Sequence, residues 1–387
     1  MDSIVIIGGG LAAANAVETL RDEGFDGPLT VVAAEPLLPY ERPPLSKEVL
    51  QGRQPFEVLH DGSWYDERKV RVVTATEATA IEPAARTVTL DDGEELHYDK
   101  LLLATGAFPV RPDVPGAVYA LLLRTRGDEQ LLHSTFRDGA QVVIVGGGWI
   151  AMEVAASARQ AGCDVTVLAR GGTPLANVLG DEIAEHLVGL HRSHGVDVRT
   201  GVTVESITDS SVTTDDGDVV ADVVLAATGV RPNTTLAERS GLGVADGIIA
   251  DAGLRTSDPH VWVAGDGALA LNTRLGPLRV EHWDNAIRQG KLAARSMLGL
   301  DAVYDWQPYF FTDQFEFSME YVGHAAPSDT VEIRGDLAGN EFIAYWLGGT
   351  DGRTVTAGMN VGIWDVNDTL RAMIGTNVNP QELTDLR

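Results

Sequence analysis

Apolar and polar positions follow two different patterns along the chain, and the patterns divide it into parts. Near the amino end, Ser3–Ile7 is a continuous apolar run, followed by a glycine turn, a helical stretch to about residue 21 and a second apolar run at Leu29–Ala33. Continuous apolar runs are typical of strands buried on both faces of a parallel sheet. The order strand, turn, helix, strand predicts a βαβ unit.

The same order returns in the middle of the chain. Gln141–Val145 is apolar, and Gly146 and Gly148 follow it as Gly8 and Gly10 follow the first run. A helix is predicted to about residue 161, with another apolar run after it. The chain therefore carries a duplicated βαβ unit rather than a short-period repeat.

Shorter segments with strict alternation follow each unit and predict antiparallel strands. After Tyr304 the pattern changes to aromatic-rich strands and a short closing helix. The predicted fold class is α/β, with two Rossmann-like dinucleotide-binding domains and a C-terminal mixed α/β domain.

Charge and hydropathy narrow the possible partners. The 387 residues carry 29 basic and 56 acidic side chains, a formal net charge of −27. Such a surface repels nucleic-acid phosphates and anionic lipids, so neither is expected as a partner. The apolar runs are shorter than a bilayer span, and no charged segment with an apolar stretch precedes the first strand, so we expect a cytoplasmic protein without a signal peptide.

The positions of cysteine and histidine argue against disulfide, thiol-redox and metal sites. Cys163 is the only cysteine, so the chain forms no internal disulfide, no redox pair and no thiolate cage, and we expect a small packed side chain. His186, His191 and His194 have no cysteine or convergent carboxylates nearby, so we expect a wet helix face and no metal site.

The two glycine turns carry the main functional signal. A glycine-rich turn between a strand and a helix places backbone N–H groups at a helix N-terminus, where a pyrophosphate binds. In the first unit Glu35 follows the second strand and suits two ribose hydroxyls. In the second unit Ala169 and Arg170 stand where an acid is expected. A guanidinium suits a 2′-phosphate, so the second turn is compatible with NADPH as well as NADH.

The chain resembles the FAD-dependent ferredoxin reductases of the putidaredoxin and rubredoxin reductase type. These belong to the flavin–pyridine nucleotide-disulfide oxidoreductase superfamily, and the glutathione-reductase-like fold is implied. The resemblance rests on segments in family order across nearly the whole chain, which are GGGLAAANA, PYERPPLSK, LLLATGAFPV, LLLRTRGD, GGGWIAMEVAA, AATGVRPN, VWVAGDGA, VEHWDNAIRQGKLAA and PYFFTDQF.

The resemblance implies a domain division and a set of cofactor-binding residues. It implies a discontinuous FAD-binding domain at 1–108 and 233–304, an NAD(P)H-binding domain at 109–232 and a C-terminal domain at 305–387. The implied FAD-binding residues are Gly8, Gly10, Leu11, Ala12, Glu35, Arg42, Lys47, Ala78, Ala104, Thr105, Gly106, Arg124, Asp266 and Trp283. The residues implied for NADH or NADPH are Gly146, Gly148, Trp149, Ile150, Glu153, Arg170 and Gly229.

Lys47 and Glu153 are the catalytic pair that the resemblance implies. Lys47 would face the flavin, where a cation stabilises the electron-rich reduced ring. Glu153 would hold the nicotinamide carboxamide, and because a carboxylate inside an apolar helix needs a partner, we expect it to pair with Lys47. His282 departs from the serine usual before the tryptophan of this family.

The stretch before and after Lys47 holds no cysteine, so the electrons are expected to leave singly to an external [2Fe-2S] ferredoxin that serves an oxygenase or a cytochrome P450. Arg288, Lys291 and Arg295 share one face of the helix after Trp283 and are either a candidate basic docking surface for ferredoxin or a solvated face.

Two alternative functions stay open: reduction of a small acceptor such as a quinone, oxygen or a monodehydroascorbate-like radical, and a redox-sensing binding protein resembling apoptosis-inducing factor. Monomer and homodimer are both compatible with the sequence.

Overall fold

The computed structural model of the protein describes residues 2–387, and packing divides the chain into two units. Unit 1 consists of the residues up to Glu41 with Phe56–Phe108 and Arg231–Pro308. Unit 2 consists of Arg42–Pro55, Pro109–Val230 and Tyr309–Arg387. The three-domain division stays a prediction.

The strands are numbered in chain order. They are β1 Ile4–Ile7, β2 Leu29–Val32, β3 Val70–Val73, β4 Ala78–Glu82, β5 Thr87–Leu90, β6 Glu95–His97, β7 Lys100–Leu103, β8 Ala107–Pro109, β9 Gln141–Val145, β10 Asp164–Ala169, β11 Asp197–Thr200, β12 Val204–Ile207, β13 Ser211–Thr214, β14 Gly217–Val220, β15 Val223–Ala226, β16 Val230–Pro232, β17 Val244–Ala245, β18 Gly247–Ala250, β19 Val261–Val263, β20 Ala268–Asn272, β21 Gly276–Leu278, β22 Tyr309–Gln314, β23 Phe317–Gly323, β24 Thr330–Asp336, β25 Glu341–Gly348 and β26 Thr354–Val361.

The α-helices are numbered in the same way. They are α1 Leu11–Asp22, α2 Gly62–Glu67, α3 Arg126–Thr135, α4 Trp149–Gln160, α5 Ala176–Leu179, α6 Asp181–Ser193, α7 Thr235–Arg239, α8 Trp283–Met297 and α9 Asn367–Met373. Short 3-10 helices lie at Pro43–Ser46, Ala117–Tyr119 and Pro380–Glu382. Within residues 2–387, no helix combines the length and the apolar character that a bilayer span requires.

Unit 1 is built on a parallel sheet in the order β19-β7-β1-β2-β3. Every residue of β1 is buried, as the continuous apolar run predicts. Helix α1 packs against α8 so closely that a Cβ on Gly290 would overlap the Ala12 carbonyl oxygen, so small residues are needed at this crossing. Two further sheets, β4-β5-β6 and β17-β18-β20-β21, complete the unit.

Unit 2 repeats the arrangement with a parallel sheet in the order β11-β10-β9-β15 and an antiparallel sheet β12-β13-β14. The aromatic-rich C-terminal segment forms an antiparallel sheet in the order β22-β23-β26-β25-β24, with α9 packed against it. Strand β22 also packs against α4, which brings the C-terminal sheet next to the second glycine turn. The predicted fold class is confirmed.

Candidate functional site

The first glycine turn joins β1 to α1 at the carboxyl edge of the unit 1 sheet. Gly8 has a φ of +124°, and a Cβ there would overlap the carbonyl oxygen of Ala104. Gly10 caps α1, and no atom lies within 4 Å of the place its Cβ would take. The turn therefore leaves open space at the first N–H groups of the helix, on Leu11 and Ala12, which suits a pyrophosphate.

Two neighbouring strands of the same sheet deliver further predicted residues to this edge. Ala104, Thr105 and Gly106 follow β7, and Asp266 follows β19. A Cβ on Gly267 would lie 3.2 Å from the Gly106 carbonyl oxygen, so the two loops touch. Asp266 is 9% exposed, which places a carboxylate in a nearly dry position beside the first turn.

Gln289 on α8 is a residue that the sequence analysis missed. It is fully buried, and its Oε1 accepts the Gly265 N–H at 2.8 Å, which fixes the loop that carries Asp266. Among residues 2–387, no acceptor reaches its Nε2. Buried amide donors are normally paired, so this donor suits a bound group. With the open space at Gly10, the residues present fit a dinucleotide.

Glu35 follows β2 at the same edge, as predicted. Its carboxylate accepts a hydrogen bond from the Tyr40 hydroxyl, and its backbone carbonyl accepts the Ala75 N–H at 3.0 Å. The side chain is thereby held at the end of the strand, where it can accept from ribose hydroxyls. The sequence pattern does not reveal this role of Tyr40, because an aromatic residue five positions from Glu35 carries no periodic signal.

The second glycine turn reproduces the first between β9 and α4. Gly146 has a φ of +135°, and a Cβ there would overlap the Ala227 carbonyl oxygen. Gly148 caps α4 with open space around it. Trp149 and Ile150 begin the helix, as predicted, and the Trp149 ring packs on Phe310 with centroids 5.1 Å apart.

Backbone hydrogen bonds align the ends of β2 and β10 residue by residue. Ala75 and Thr76 donate to the carbonyls of Glu35 and Ala33, whereas Gly201 and Val202 donate to those of Gly171 and Ala169. The counterpart of Glu35 is therefore Gly171, which directly follows the two positions, Ala169 and Arg170, where the sequence pattern placed it.

The end of β10 is open and cationic. A Cβ on Gly171 would have no atom within 4 Å, and Arg170 beside it is exposed. Ala169 is buried, and a Cβ on Gly147 would lie 3.1 Å from its Cβ. Residues 169–172 hold no carboxylate, so nothing in this segment repels a 2′-phosphate.

The predicted ion pair between Lys47 and Glu153 is confirmed. Lys47 follows the 3-10 helix Pro43–Ser46, whose prolines fix the backbone, and Glu153 lies one turn into α4. The Lys47 Nζ and the Glu153 Oε2 are 2.8 Å apart, and both side chains are about 5% exposed. The Ser46 hydroxyl donates to the same Oε2, and the Thr312 hydroxyl donates to Oε1 at 2.6 Å.

A buried carboxylate is costly unless it is paired and hydrogen-bonded. Here one oxygen meets a cation and a hydroxyl, and the other meets a second hydroxyl. The centroid of the Phe311 ring lies 5.7 Å from the Lys47 Nζ. The geometry is that of a fixed, dry cation with its counterion on the helix of the second turn.

The structure also places the remaining predicted residues. In unit 2, Arg42 donates to the carbonyl of Arg124, and Gly229 has a φ of +108° with open space at its Cβ position. In unit 1, Ala78 begins β4 and Trp283 begins α8, with His282 at the N-cap. The cofactor-binding roles of all these residues stay predictions.

Cys163 is fully buried, which confirms the expectation of a packed side chain. It precedes β10, so it lies at the amino edge of the unit 2 sheet, whereas the second glycine turn lies at the carboxyl edge. Six residues of strand separate the two edges by about 20 Å. Burial raises the pKa of the thiol.

The expectation of a wet histidine face is wrong for His191. This residue is fully buried, since its Nε2 hydrogen-bonds Gln314 of the C-terminal sheet at 2.9 Å. His186 and His194 pair with Asn340 and Glu316 at 2.7 and 2.8 Å. The sequence pattern of α6 could not show that a distant segment covers this face.

Two of the three cations on the outer face of α8 have acidic partners. Arg288 pairs with Asp284 at 2.7 Å, and Arg295 pairs with Glu23. Lys291 between them is exposed. The face is therefore less positive than the sequence alone indicates.

The chain matches the pyridine nucleotide-disulphide oxidoreductase family over residues 2–290. The chain belongs to this family. A relative from Burkholderia cepacia, named as the ferredoxin–NAD(+) reductase component of an anthranilate 1,2-dioxygenase system, is 38% identical and is matched over 99% of this chain and 97% of its own length.

Two solved structures are similar to this chain over nearly its whole length. The putidaredoxin reductase of a covalent complex with putidaredoxin has a TM-score of 0.93 at 32% identity, covering 98% of this chain and 95% of that one. The ferredoxin reductase of the CYP199A2 system from Rhodopseudomonas palustris has a TM-score of 0.94 at 31% identity, covering 100% and 98%. Both glycine turns of this chain lie within the aligned length.

Proposed function

We propose that the protein is a FAD-dependent NAD(P)H:ferredoxin oxidoreductase that passes electrons to a [2Fe-2S] ferredoxin serving an oxygenase or a cytochrome P450. The observation that carries the proposal is the pair of open glycine turns, each capping a helix, in a chain matched over 99% of its length to a ferredoxin–NAD(+) reductase component. We place the reaction in the cytoplasm, where reduced pyridine nucleotides are supplied.

In this proposal the first turn binds FAD. The N–H groups after Gly10 hold its pyrophosphate, Glu35 accepts from the adenosine ribose, and Asp266 accepts from a ribityl hydroxyl. When bound, FAD accepts a hydride from NAD(P)H and releases the two electrons singly to a one-electron carrier. The residues implied for FAD beside these are Leu11, Ala12, Arg42, Ala78, Ala104, Thr105, Gly106, Arg124 and Trp283, with boundaries at 1–108 and 233–304.

The second turn binds the nicotinamide coenzyme, within residues 109–232. The N–H groups after Gly148 hold the pyrophosphate, and Glu153 keeps Lys47 fixed and accepts from the carboxamide. Lys47 supplies the positive charge that stabilises added electron density on the flavin. Arg170 and the open position at Gly171 admit a 2′-phosphate, so we propose that NADPH is used as well as NADH.

The ferredoxin dock is proposed on the outer face of α8. Because Arg288 and Arg295 are paired with carboxylates, Lys291 is the cation best placed to attract an acidic partner. Lys291→Glu is expected to raise the KM for ferredoxin and to flatten its salt dependence. An unchanged KM and salt dependence would remove this face from the dock.

The proposed function is tested by steady-state reduction of a panel of [2Fe-2S] proteins, quinones and oxygen, with NADH and NADPH in parallel. We expect at least one [2Fe-2S] protein to be reduced much faster than any small acceptor. Faster turnover with a quinone or oxygen would assign the protein to the small-acceptor reductases. A long-lived reduced enzyme that reduces none of them would favour a redox-sensing role.

A further inference from the structure

A line of buried polar side chains leads away from Glu153 through unit 2. The Thr312 hydroxyl lies 2.6 Å from Glu153 Oε1, the Gln314 Nε2 lies 3.2 Å from the Thr312 hydroxyl, and the His191 Nε2 lies 2.9 Å from the Gln314 Oε1. Thr312, Gln314 and His191 are each at most 1% exposed. The line is therefore almost completely shielded from solvent along these three residues.

Elementary hydrogen-bond chemistry fixes the direction of every link. A carboxylate only accepts, so Thr312 must donate to Glu153. The threonine oxygen then accepts from the Gln314 amide N–H, and the Gln314 carbonyl accepts from an N–H on His191 Nε2. With the Gln314 amide reversed, Thr312 would have to donate to Gln314, and Glu153 Oε1 would lose its donor.

His191 ends the line in the form that this direction requires. Burial lowers the pKa of His191 to about 4, so the imidazole is neutral at neutral pH. Among residues 2–387, no hydrogen-bond partner reaches its Nδ1, so the proton belongs on Nε2, where Gln314 accepts it. A neutral imidazole with one fixed N–H thus sets the orientation of the glutamine amide.

The side chains of the line belong to elements that pack against each other. Thr312 and Gln314 alternate along β22 and so lie on one face of that strand, which packs against α4. His191 lies on α6, which the same sheet covers. Two elements, β22 and α6, therefore carry the line that meets Glu153 at Oε1, whereas Lys47 and Ser46 meet it at Oε2.

We propose that Thr312, Gln314 and His191 are positioning residues for the reaction with NAD(P)H, which hold the Glu153 carboxylate in the orientation that fixes Lys47. This inference rests on the proposed function of Glu153 and Lys47. It gives the C-terminal sheet a part in coenzyme chemistry, although the sheet lies far along the chain from both glycine turns. Buried networks of this kind lose their effect when one member is left unpaired.

The experiment measures the rate of flavin reduction by NADPH and NADH in the purified holoenzyme, mixed rapidly and without any ferredoxin. Thr312→Val removes the donor at nearly constant volume and is expected to lower the rate constant over coenzyme Kd about tenfold. Thr312→Ser keeps the hydroxyl and is expected to stay within about twofold of the wild type. Gln314→Met is expected to fall between the two variants.

His186→Gln is the matched control, because His186 lies on the same helix and also pairs with an amide, that of Asn340, outside the line. It is expected to leave the rate unchanged. A rate for Thr312→Val equal to that for Thr312→Ser, or an equal loss in His186→Gln, would overturn the proposal. Thermal unfolding of each variant separates a loss of fold from a loss of positioning.

A second readout does not depend on turnover. Nitrogen NMR of histidine-labelled protein is expected to show His191 as a neutral ring protonated on Nε2, with a resonance that shifts in Thr312→Val and not in His186→Gln. A His191 protonated on Nδ1 would contradict the line. If the wild type reduces no ferredoxin, the proposed function fails, while flavin reduction and the His191 resonance still decide this inference.

Discussion

The two glycine turns of the protein have the same backbone and different surroundings. Gly8 and Gly146 have φ angles of +124° and +135°, and in both places a Cβ would overlap a carbonyl oxygen of the next strand in the sheet. Gly10 and Gly148 both cap a helix and face open space. The turn alone therefore offers a place that suits a pyrophosphate, and it does not determine which dinucleotide would carry it.

The two units differ at two places: the residue that follows the second strand, and the residue one turn into the helix after the glycines. Glu35 is held by Tyr40, whereas its counterpart Gly171 has no side chain and stands beside Arg170. Five residues after the helix cap, α1 carries Asn15, whose amide turns back to the carbonyl of Leu11 at 2.9 Å. The same position of α4 carries Glu153.

The backbone arrangement that suits an anion therefore occurs in both units, and the side chains outside the turns distinguish the two. In unit 1, helix α1 packs against α8 through small residues such as Ala12 and Gly290. Its residue at the position that corresponds to Glu153 is the uncharged Asn15. In unit 2 a buried carboxylate on the helix fixes a lysine from a separate loop. Each difference can be removed by substitution, and the expected effects differ in size.

The largest effect is expected from Lys47→Met. This change leaves the Glu153 carboxylate buried without its cation, which costs about 3–5 kcal/mol of unfolding free energy. Chemical denaturation measures the loss, and flavin reduction by NAD(P)H is expected to fall with it. Asn15→Leu at the matching position of α1 is the control and is expected to cost less than about 1 kcal/mol.

The double variant Lys47→Met/Glu153→Leu decides the cause of that loss. Because it removes both charges, it is expected to recover much of the stability and none of the flavin reduction rate. If the double variant is as unstable as Lys47→Met, packing around Lys47 and not the unpaired carboxylate explains the loss.

The next effect separates the two turns themselves. Gly8→Ala and Gly146→Ala each force a Cβ against a backbone carbonyl at a positive φ, at a cost of about 2–3 kcal/mol. Gly8→Ala is expected to be purified without flavin absorbance. Gly146→Ala is expected to keep its flavin and to lose reduction by NAD(P)H, as single-turnover mixing would show.

Exchanged phenotypes would reverse the assignment of the turns: a flavin-free Gly146→Ala with a flavin-bound Gly8→Ala means that the second turn binds FAD. Gly24, which also has a positive φ but has open space at its Cβ position, is the matched control. Gly24→Ala is expected to keep both its bound flavin and the reduction of that flavin by NAD(P)H.

The sequence predicted those parts of the site that depend on local pattern. Strand, glycine turn and helix follow from periodicity, and Glu35 follows from its place at the end of the second strand. Glu153 is implied by the family resemblance. Tyr40, Gln289 and Thr312 escaped prediction, because each acts on a residue that is near in space and carries no periodic relation to it. The burial of His191 escaped for the same reason, since β22 lies more than a hundred residues further along the chain.

A smaller effect is expected at the end of β10. Arg170→Ala is expected to weaken the binding of NADPH by about 1–3 kcal/mol and to leave the binding of NADH nearly unchanged. The reason is that only NADPH has a 2′-phosphate for the guanidinium to bind. Gly171→Glu places a carboxylate at the counterpart of Glu35, where there is room for it, and is expected to disfavour NADPH similarly. Steady-state KM values for both coenzymes measure the preference, and equal changes for NADH and NADPH would remove these residues from it.

The smallest effect is expected from Tyr40→Phe, which removes only the hydroxyl that donates to Glu35. The ring contact with Phe56, with centroids 5.1 Å apart, stays possible, so packing is nearly constant. Loss of one hydrogen bond to a carboxylate leaves Glu35 freer to turn from the ribose and is expected to weaken FAD by about 1 kcal/mol. Fluorescence of released flavin measures the Kd for FAD. The Kd for NAD(P)H should not change, because the second turn has no tyrosine–glutamate hydrogen bond at the corresponding position. If Glu35→Gln weakens FAD binding strongly and Tyr40→Phe has no effect, the end of the strand alone positions the Glu35 carboxylate. The surroundings of the two turns would then differ by Glu35 alone and not by the pair of Glu35 and Tyr40.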